Sequence, residues 1–340
     1  MRVAFDTRPV ADPHGLGRYS RCLLQALSDT AAAGDEILEV HRPSAIARSR
    51  GADVFHTPWM EGAMLHSPCP MVVTVHGLGR LKRRSEHLRT GLRLRLRNLA
   101  VQRAVCVVVP THSVAEDAVT HLGVEPERIA VIAEAADPIM GPRPDREVAS
   151  VRARYGLPER YLLWVGGLEH PDPARHVAEL AGATRELALV LVGSTRQWAH
   201  ELPGVILTGR VRDDELAAIY TGACALVMAS EHEGFGLPAV EALACGTPVV
   251  AFESSALREV LGERATFVAP DMATLIEAAE AATRPAPAPP DWSWEDAARA
   301  TWSAYTRALA DMGRRRDPAR ARRRRGAQQR APRIDGLEPQ

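Results

Sequence analysis

The chain has 340 residues, 46% hydrophobic and 25% charged, and its 42 basic residues are matched by 42 acidic ones. This length favours two domains, since single cores seldom grow past about 250–300 residues, and the composition excludes a wholly disordered or fibrous chain. No apolar run approaches the roughly 18–20 residues of a membrane span, and "MRVAFDTRP" lacks the apolar core of a secretory signal, so a cytosolic protein is expected.

Short apolar runs and helix-patterned stretches alternate along the chain. The first strand is expected at residues 3–5, followed by a helix from Gly17 to about Ser28 with Tyr19, Leu23, Leu24 and Leu27 at helical spacing. Strands at 37–40, 54–55 and 71–75 come next. A basic helix from Arg80 to Arg103 then sets Leu88, Leu92, Leu96 and Leu99 in a seam flanked by arginines. Two more strands, at 105–109 and 129–132, complete the first half, and a stretch rich in proline, glycine and charge at 137–158 reads as the break. The second half repeats the pattern with strands at 161–165, 187–192, 205–207, 225–228, 249–252 and 266–268. Pro238 suits a first helical turn and Gly246 a helix end, predicting a short helix from Pro238 to Cys245. Beyond the proline-rich "RPAPAPP" at 284–290, Trp294, Ala298, Trp302 and Tyr305 align on a last helix. From Arg314 to Arg333 almost nothing is apolar, so a disordered tail is expected.

Strands alternating with helices imply parallel sheets covered on both faces, and near-continuous runs such as "LALVLV" fit such buried strands. The fold class is therefore α/β, with two Rossmann-like doubly wound domains at 1–150 and 151–285 facing a cleft. A helix at 286–312 and an Arg-rich tail at 313–340 follow. The five cysteines are scattered and show neither a disulfide framework nor a zinc spacing.

In an open parallel sheet ligands bind beyond the carboxyl ends of the strands. The unusual residues fall there: Gly15 and Gly17 after the first strand, His56 and His76 after the third and fourth, then Gly166, Gly167, Gly193, Gly209, Arg210 and Glu231 to Glu233 in the second half. Within "EHEGFGLPAVEALACG", Gly234 and Gly236 would let the backbone approach a ligand, and amides around Gly236 and Leu237 would offer an anion the positive end of a helix dipole. Glu233 and Glu241 would bracket a hydroxyl-rich ligand. The plainer alternative makes Glu233 a helix cap and Glu241 a solvated helix residue.

Residues 229–251, "ASEHEGFGLPAVEALACGTPVVA", resemble the E-x7-E motif of family 4 of the retaining, GT-B-fold glycosyltransferases. "GLGRYSRCLL", "VVTVHGL", "YLLWVGGLE" and "LTGRVRDDELAAIYTGACALVMAS" agree in order, so the resemblance covers roughly residues 1–310. It implies a nucleoside-diphosphate sugar held mainly by the second domain, and a last helix crossing back onto the first. Glu233 would bind the donor sugar near the reacting carbon and Glu241 the ribose. The amides of Phe235, Gly236 and Leu237 would bind the diphosphate, with Gly15 and Gly17 approaching it from the other domain alongside Gly166, Gly167 and Arg210. His76 would face the sugar and acceptor and, with Glu233, be catalytic. The chain departs from the family pattern where "GGLEHPDPARHV" puts Gly167 at a usually cationic position and Arg175 at the place of a lysine. No aspartate follows His76, which leaves acceptor contacts open.

No metal and no cofactor beyond the sugar nucleotide are expected. "GLGRYS" lacks the third glycine of a dinucleotide fingerprint, which argues against a dehydrogenase. The first-domain histidines, among them His14, His56 and His76, show no metal spacing and read mostly as loop or surface residues. The expected activity is transfer of a hexose, with mannose favoured by "GLGRYSRCLL", to a glycan or lipid-linked acceptor. A sugar-nucleotide-binding protein without catalysis is the alternative. The basic helix offers a contact to an anionic membrane surface, and the tail lacks the interleaved aromatics of a nucleic-acid binder.

Overall fold

The computed structural model describes residues 1–42, 51–79 and 84–316. Among them the chain builds two six-stranded sheets, and every strand pair is parallel. The first sheet comprises β1 (Arg2–Asp6), β2 (Glu36–Val40), β3 (Val54–Thr57), β4 (Met71–Thr74), β5 (Cys106–Val109) and β6 (Ile129–Val131), in the order β2-β1-β3-β4-β5-β6. The second comprises β7 (Tyr161–Val165), β8 (Ala188–Val192), β9 (Val205–Gly209), β10 (Ala225–Met228), β11 (Val249–Phe252) and β12 (Thr266–Val268), in the order β12-β11-β10-β7-β8-β9. All twelve expected strands are present. The second sheet has the doubly wound order whose strand sequence reverses between β7 and β10, and such a reversal opens a ligand crevice.

The helices are α1 (Gly15–Asp29), α2 (Arg84–Gln102), α3 (His112–Leu122), α4 (Asp145–Tyr155), α5 (Val177–Gly182), α6 (Asp213–Gly222), α7 (Leu237–Ala244), α8 (Ser255–Leu261), α9 (Met272–Glu280) and α10 (Trp294–Arg316). Side-chain caps start several of them: Thr111, Ser254 and Asp271 accept from Val114, Leu257 and Thr274 N–H, satisfying donors that a helix leaves open. The stretch read as a break contains α4, whose Arg154 and Tyr155 both bond to the buried Glu215 of α6. Only Val148 and Val151 are buried on α4, too few to mark a helix by periodicity.

Alternate residues of each strand supply opposite faces. Ala4 and Val73 join one apolar cluster within the first half, and Leu162 and Leu191 another within the second. The largest cluster is shared, running from Phe5, Tyr19 and Leu27 through Tyr161 and Leu237 to Trp294 and Tyr305. Helix α10 lies against α1. Trp302 Nε1 donates to Leu27 O at 3.2 Å, and Trp294 Nε1 to Ala136 O at 3.1 Å. The tail beyond residue 316 and the start of the basic helix, residues 80–83, lie outside the described residues.

Candidate functional site

Loops at the carboxyl ends of both sheets meet face to face. Thr111 Oγ1 donates to Gly234 O at 3.0 Å, while Glu259 of α8 accepts from His112 N at 2.8 Å and Ser113 N at 3.1 Å, capping α3 from the opposite half. Between the halves lies a cavity of about 540 Å³ whose lining includes Gly77, Gly79, Asp117, Glu231, Glu233 and Arg258. Glu233 is half-buried there, and among the described residues its carboxylate has no hydrogen-bond or ion partner. A carboxylate held at a cavity wall in this way keeps its full capacity to accept from ligand hydroxyls.

The glycines of the motif answer to protein contacts. A Cβ on Gly234 would lie 1.5 Å from His76 O, so the two halves approach closer there than any side chain permits. Gly236 has φ 88° and a Cβ would meet Leu257 Cδ2 at 2.4 Å. Both glycines are thus required by contacts within the protein, and Gly234 also lines the cavity. Gly17 is likewise set by the Asp12 carbonyl, 1.9 Å from a Cβ, and lies buried, whereas Gly15 is exposed and faces Leu237 Cδ1 at 3.7 Å. The start of α1 therefore adjoins the start of α7, which opens after Gly236 with outward N–H groups. The Phe235 ring is buried, 5.6 Å from that of Trp292.

His76 stands at the end of β4. Its Nδ1 lies 2.9 Å from Glu134 Oε1, its Nε2 lies 2.9 Å from Pro58 O, and its ring meets Tyr19 edge-on at 4.3 Å. Both acceptors lack a proton to give, so both ring nitrogens donate and the ring is an imidazolium. Burial pulls its pKa down, but the hydrogen bond and charge of Glu134 and the Pro58 carbonyl outweigh that and hold it above the ordinary value. Both ring nitrogens of His76 are thus engaged within the protein, and its protonated form is favoured beside the cleft.

Glu241 does not line the open gap. It is 3% exposed, and Arg18 of α1 reaches across the halves to set Nη1 3.0 Å from its Oε1. Tyr220 donates to Oε2 at 3.2 Å. The Arg18 contact is an ion pair without hydrogen-bond alignment, so Arg18 Nη1 and Glu241 Oε1 each retain an unused bond. Arg18 also meets Asp213 at 2.6 Å and Asp137 at 3.9 Å. Burial drives the Glu241 carboxyl up to about 7 despite the pull of Arg18 and Tyr220. Of the two acids, Glu233 lines the cavity, and Glu241 is buried against Arg18 of α1.

Around β7, Arg175 ends a short turn (Pro173–Arg175) capped by Asp172, and its Nη1 lies 3.0 Å from where a Gly166 Cβ would be. Arg175, not Asp172, is thus turned toward the glycine loop. A Cβ on Gly193 would strike Gly166 O, and Gly193 N donates to Gly209 O at 3.1 Å, so Arg210, exposed, lies at the outer end of this row of loops. His14, just ahead of α1, crosses the cleft to place Nε2 2.7 Å from Glu169 Oε1. His56 is fully buried between Tyr305 OH at 2.5 Å and Thr74 Oγ1 at 2.9 Å, and burial depresses its pKa to about 3. It is a neutral internal link, set in the core rather than in a loop or on the surface. Glu134, Glu169, Arg18 and Tyr220 were not legible as site residues, because the first three have partners 58 to 223 positions away and Tyr220 meets Glu241, 21 positions on, from a different helix, beyond any local pattern.

Two parallel sheets with loop ends facing across a cleft define the GT-B class of glycosyltransferase fold. Residues 159–284 match the family described as glycosyl transferases group 1, and residues 34–138 match glycosyltransferase family 4. A glycosyltransferase family model is thus matched in each half of the chain. It is similar to 2-deoxystreptamine glucosyltransferase of Streptomyces kanamyceticus, 32% identical over 180 residues that cover 48% of this chain and 46% of that one. The chain thus spans about half the length of the curated relatives it matches. Among solved structures, sucrose-phosphate synthase of Thermosynechococcus elongatus shares the fold with a TM-score of 0.66 at 21% identity, covering 94% of this chain and 99% of that one. Anabaena HepE in complex with UDP-glucose shares it with a TM-score of 0.62 at 15% identity, covering 92% and 99%.

Proposed function

We propose that the protein transfers a hexose, with mannose as the first candidate, from a nucleoside-diphosphate sugar to a hydroxyl of an acceptor seated in the cleft, with retention of anomeric configuration. The carrying observation is Glu233, an unpartnered carboxylate on the wall of a roughly 540 Å³ cavity between the halves, one turn ahead of α7. In this reading Glu233 accepts from the donor sugar's hydroxyls. The outward amides of α7 and the Arg175 guanidinium face the diphosphate as the bond from the anomeric carbon to the β-phosphate oxygen breaks and negative charge gathers on the departing group. The His76 imidazolium adds a fixed positive charge nearby. These groups do the work without a metal ion.

The neighbours bound to UDP or UDP-glucose support a nucleotide-sugar donor. The acceptor is a glycan or a lipid-linked sugar, and the arginine-rich stretch at 80–103 is the part of the chain offered to an anionic membrane surface. Among the described residues no helix is long and apolar enough to cross a membrane.

The test is release of nucleoside diphosphate from candidate sugar nucleotides on adding acceptor, in the presence of EDTA, with the product's anomeric configuration read by NMR. Glu233→Ala is expected to cut turnover by about a hundredfold or more, the scale of losing one group that acts on the reacting centre, while the melting temperature stays unchanged. Tight donor binding without turnover by the wild type, an inverted product, or full activity in Glu233→Ala would each defeat this reading.

A further inference from the structure

Gly167 follows β7 and carries no charge, yet the space beside it is filled. A Cβ built on Gly167 would lie 2.8 Å from His14 Cε1 and 3.0 Å from His14 Nε2. The Glu169 carboxylate, whose Oε2 would lie 2.5 Å from that Cβ, and the imidazole of the first half therefore share the volume that a side chain at position 167 would take. His14 is held in place from both ends. Its backbone N–H donates to Asp12 Oδ1 at 2.8 Å, and its Nε2 pairs with Glu169 Oε1 at 2.7 Å. Neither partner of that pair is sealed from solvent, at 32% and 30% exposure, so the ring is reachable from the cleft.

We propose that His14 supplies the positive charge that Gly167 lacks, and that its ring donates a hydrogen bond to the diphosphate of the bound donor. This rests on the sugar-nucleotide reading above and adds to it a residue from the opposite half. Nε2–H donates to Glu169, which fixes the ring's orientation; in the proposal an anionic diphosphate on the other side favours the doubly protonated ring, whose Nδ1–H is then the remaining donor, and Nδ1 has no partner among the described residues. The backbone continues directly from His14 to Gly15, which abuts Leu237 at the start of α7. On the other side Arg175 lies against Gly166. A group bridging the α7 amides and the glycine loop thus meets His14 from one half and Arg175 from the other. The charged groups that face the ring are Glu169 and Asp12, with Arg175 beyond the glycine loop. The carboxyl of Glu169 is held below its ordinary value by its own backbone amide, His14 and Ser194 against the opposing effect of burial, so it stays ionised as the ring's partner.

The full-length chain, His14→Gln and Glu169→Gln are titrated calorimetrically with UDP, GDP and the matching nucleosides, and with inorganic pyrophosphate. A charge-assisted hydrogen bond to phosphate corresponds to about a ten- to hundredfold change in affinity. His14→Gln is therefore expected to weaken nucleoside diphosphate and pyrophosphate by that factor and to leave the nucleoside unchanged. Glu169→Gln, which keeps the ring but loosens it, should show a smaller loss of the same selectivity. A double change, His14→Gly with Gly167→Arg, returns a cation to the vacated volume and should recover diphosphate affinity, which no merely structural role of His14 would produce. Equal diphosphate affinity in His14→Gln and wild type, or an equal loss for diphosphate and nucleoside, overturns the role of His14 alone. A wild-type chain that binds no nucleoside diphosphate overturns the donor reading as well, and the two failures are distinguished by the wild-type titration.

Discussion

At the scale of single residues, two glycines make opposite demands. Gly234 adjoins the His76 carbonyl so closely that an added methyl group must displace backbone. Gly91 sits exposed on α2 with nothing within 4 Å of its would-be Cβ. Gly91→Ala is expected to stabilise the protein by about 0.5–1 kcal/mol, the helix-propensity difference, as a rise in urea midpoint. Gly234→Ala should push the facing loops apart by about an ångström and cut turnover roughly a hundredfold, the cost of such a misplacement. A Gly234→Ala enzyme with wild-type rates would show that the contact is not kept during turnover. Sequence made both positions visible as glycine and neither demand, since the first belongs to a contact between residues 76 and 234 that no local pattern encodes.

At the scale of elements, the strands were legible because strands buried on both faces read as near-continuous apolar runs, as in β8 and β10. Helix α4 was not, because its inward face is two valines wide. The link between β3 and α10 was legible only as two separate residues. His56 and Tyr305 meet 249 positions apart, and their pairing gives α10 a polar anchor inside an apolar interface. That anchor has a pH signature. An unfolded histidine titrates near 6.5, whereas His56 in the fold titrates near 3 because burial disfavours its charge. The unfolded chain alone takes up that proton, so the stability contributed by His56 is complete above pH 6.5 and is lost as pH falls toward 3. Between pH 6 and pH 4 the slope of unfolding free energy against pH should be shallower in His56→Gln by about 1.4 kcal/mol per pH unit, one proton's worth. Parallel profiles, read from urea unfolding at each pH, would contradict the buried neutral ring.

At the scale of the whole molecule, the two halves share an apolar cluster and a buried charge. Arg18 reaches Glu241 and Asp213 of the second half and lies near Asp137 of its own, so one cation neutralises acids gathered from three places in the chain. Removing one partner of a buried pair typically costs about 3–5 kcal/mol because the other is left uncompensated. Arg18→Met is expected to destabilise by that amount, and Arg18→Met with Glu241→Gln by clearly less, which a double-mutant cycle in denaturant measures. Glu241 adds a pH dependence opposite in sign to that of His56. Its folded pKa of about 7 lies above the 4.5 of a free glutamate, so its contribution is complete below 4.5 and lost as pH rises through 7. Additive single-variant effects would mean that the pair does not couple the halves. The sequence marked Glu241 through its motif and Arg18 only as part of "GLGRYS"; their meeting is a property of how two sheets are set against each other.

Helix α10 also orders events during synthesis. Trp302 bonds to Leu27, 275 positions earlier in the chain, so the flank of α1 that α10 covers stays bare while almost all of the polypeptide is still being made. At about 5–20 residues per second that exposure lasts roughly 14–55 seconds. A ribosome-bound chain halted before Trp294 has no α10 to cover that flank, and is expected to expose apolar surface until translation reaches the closing helix.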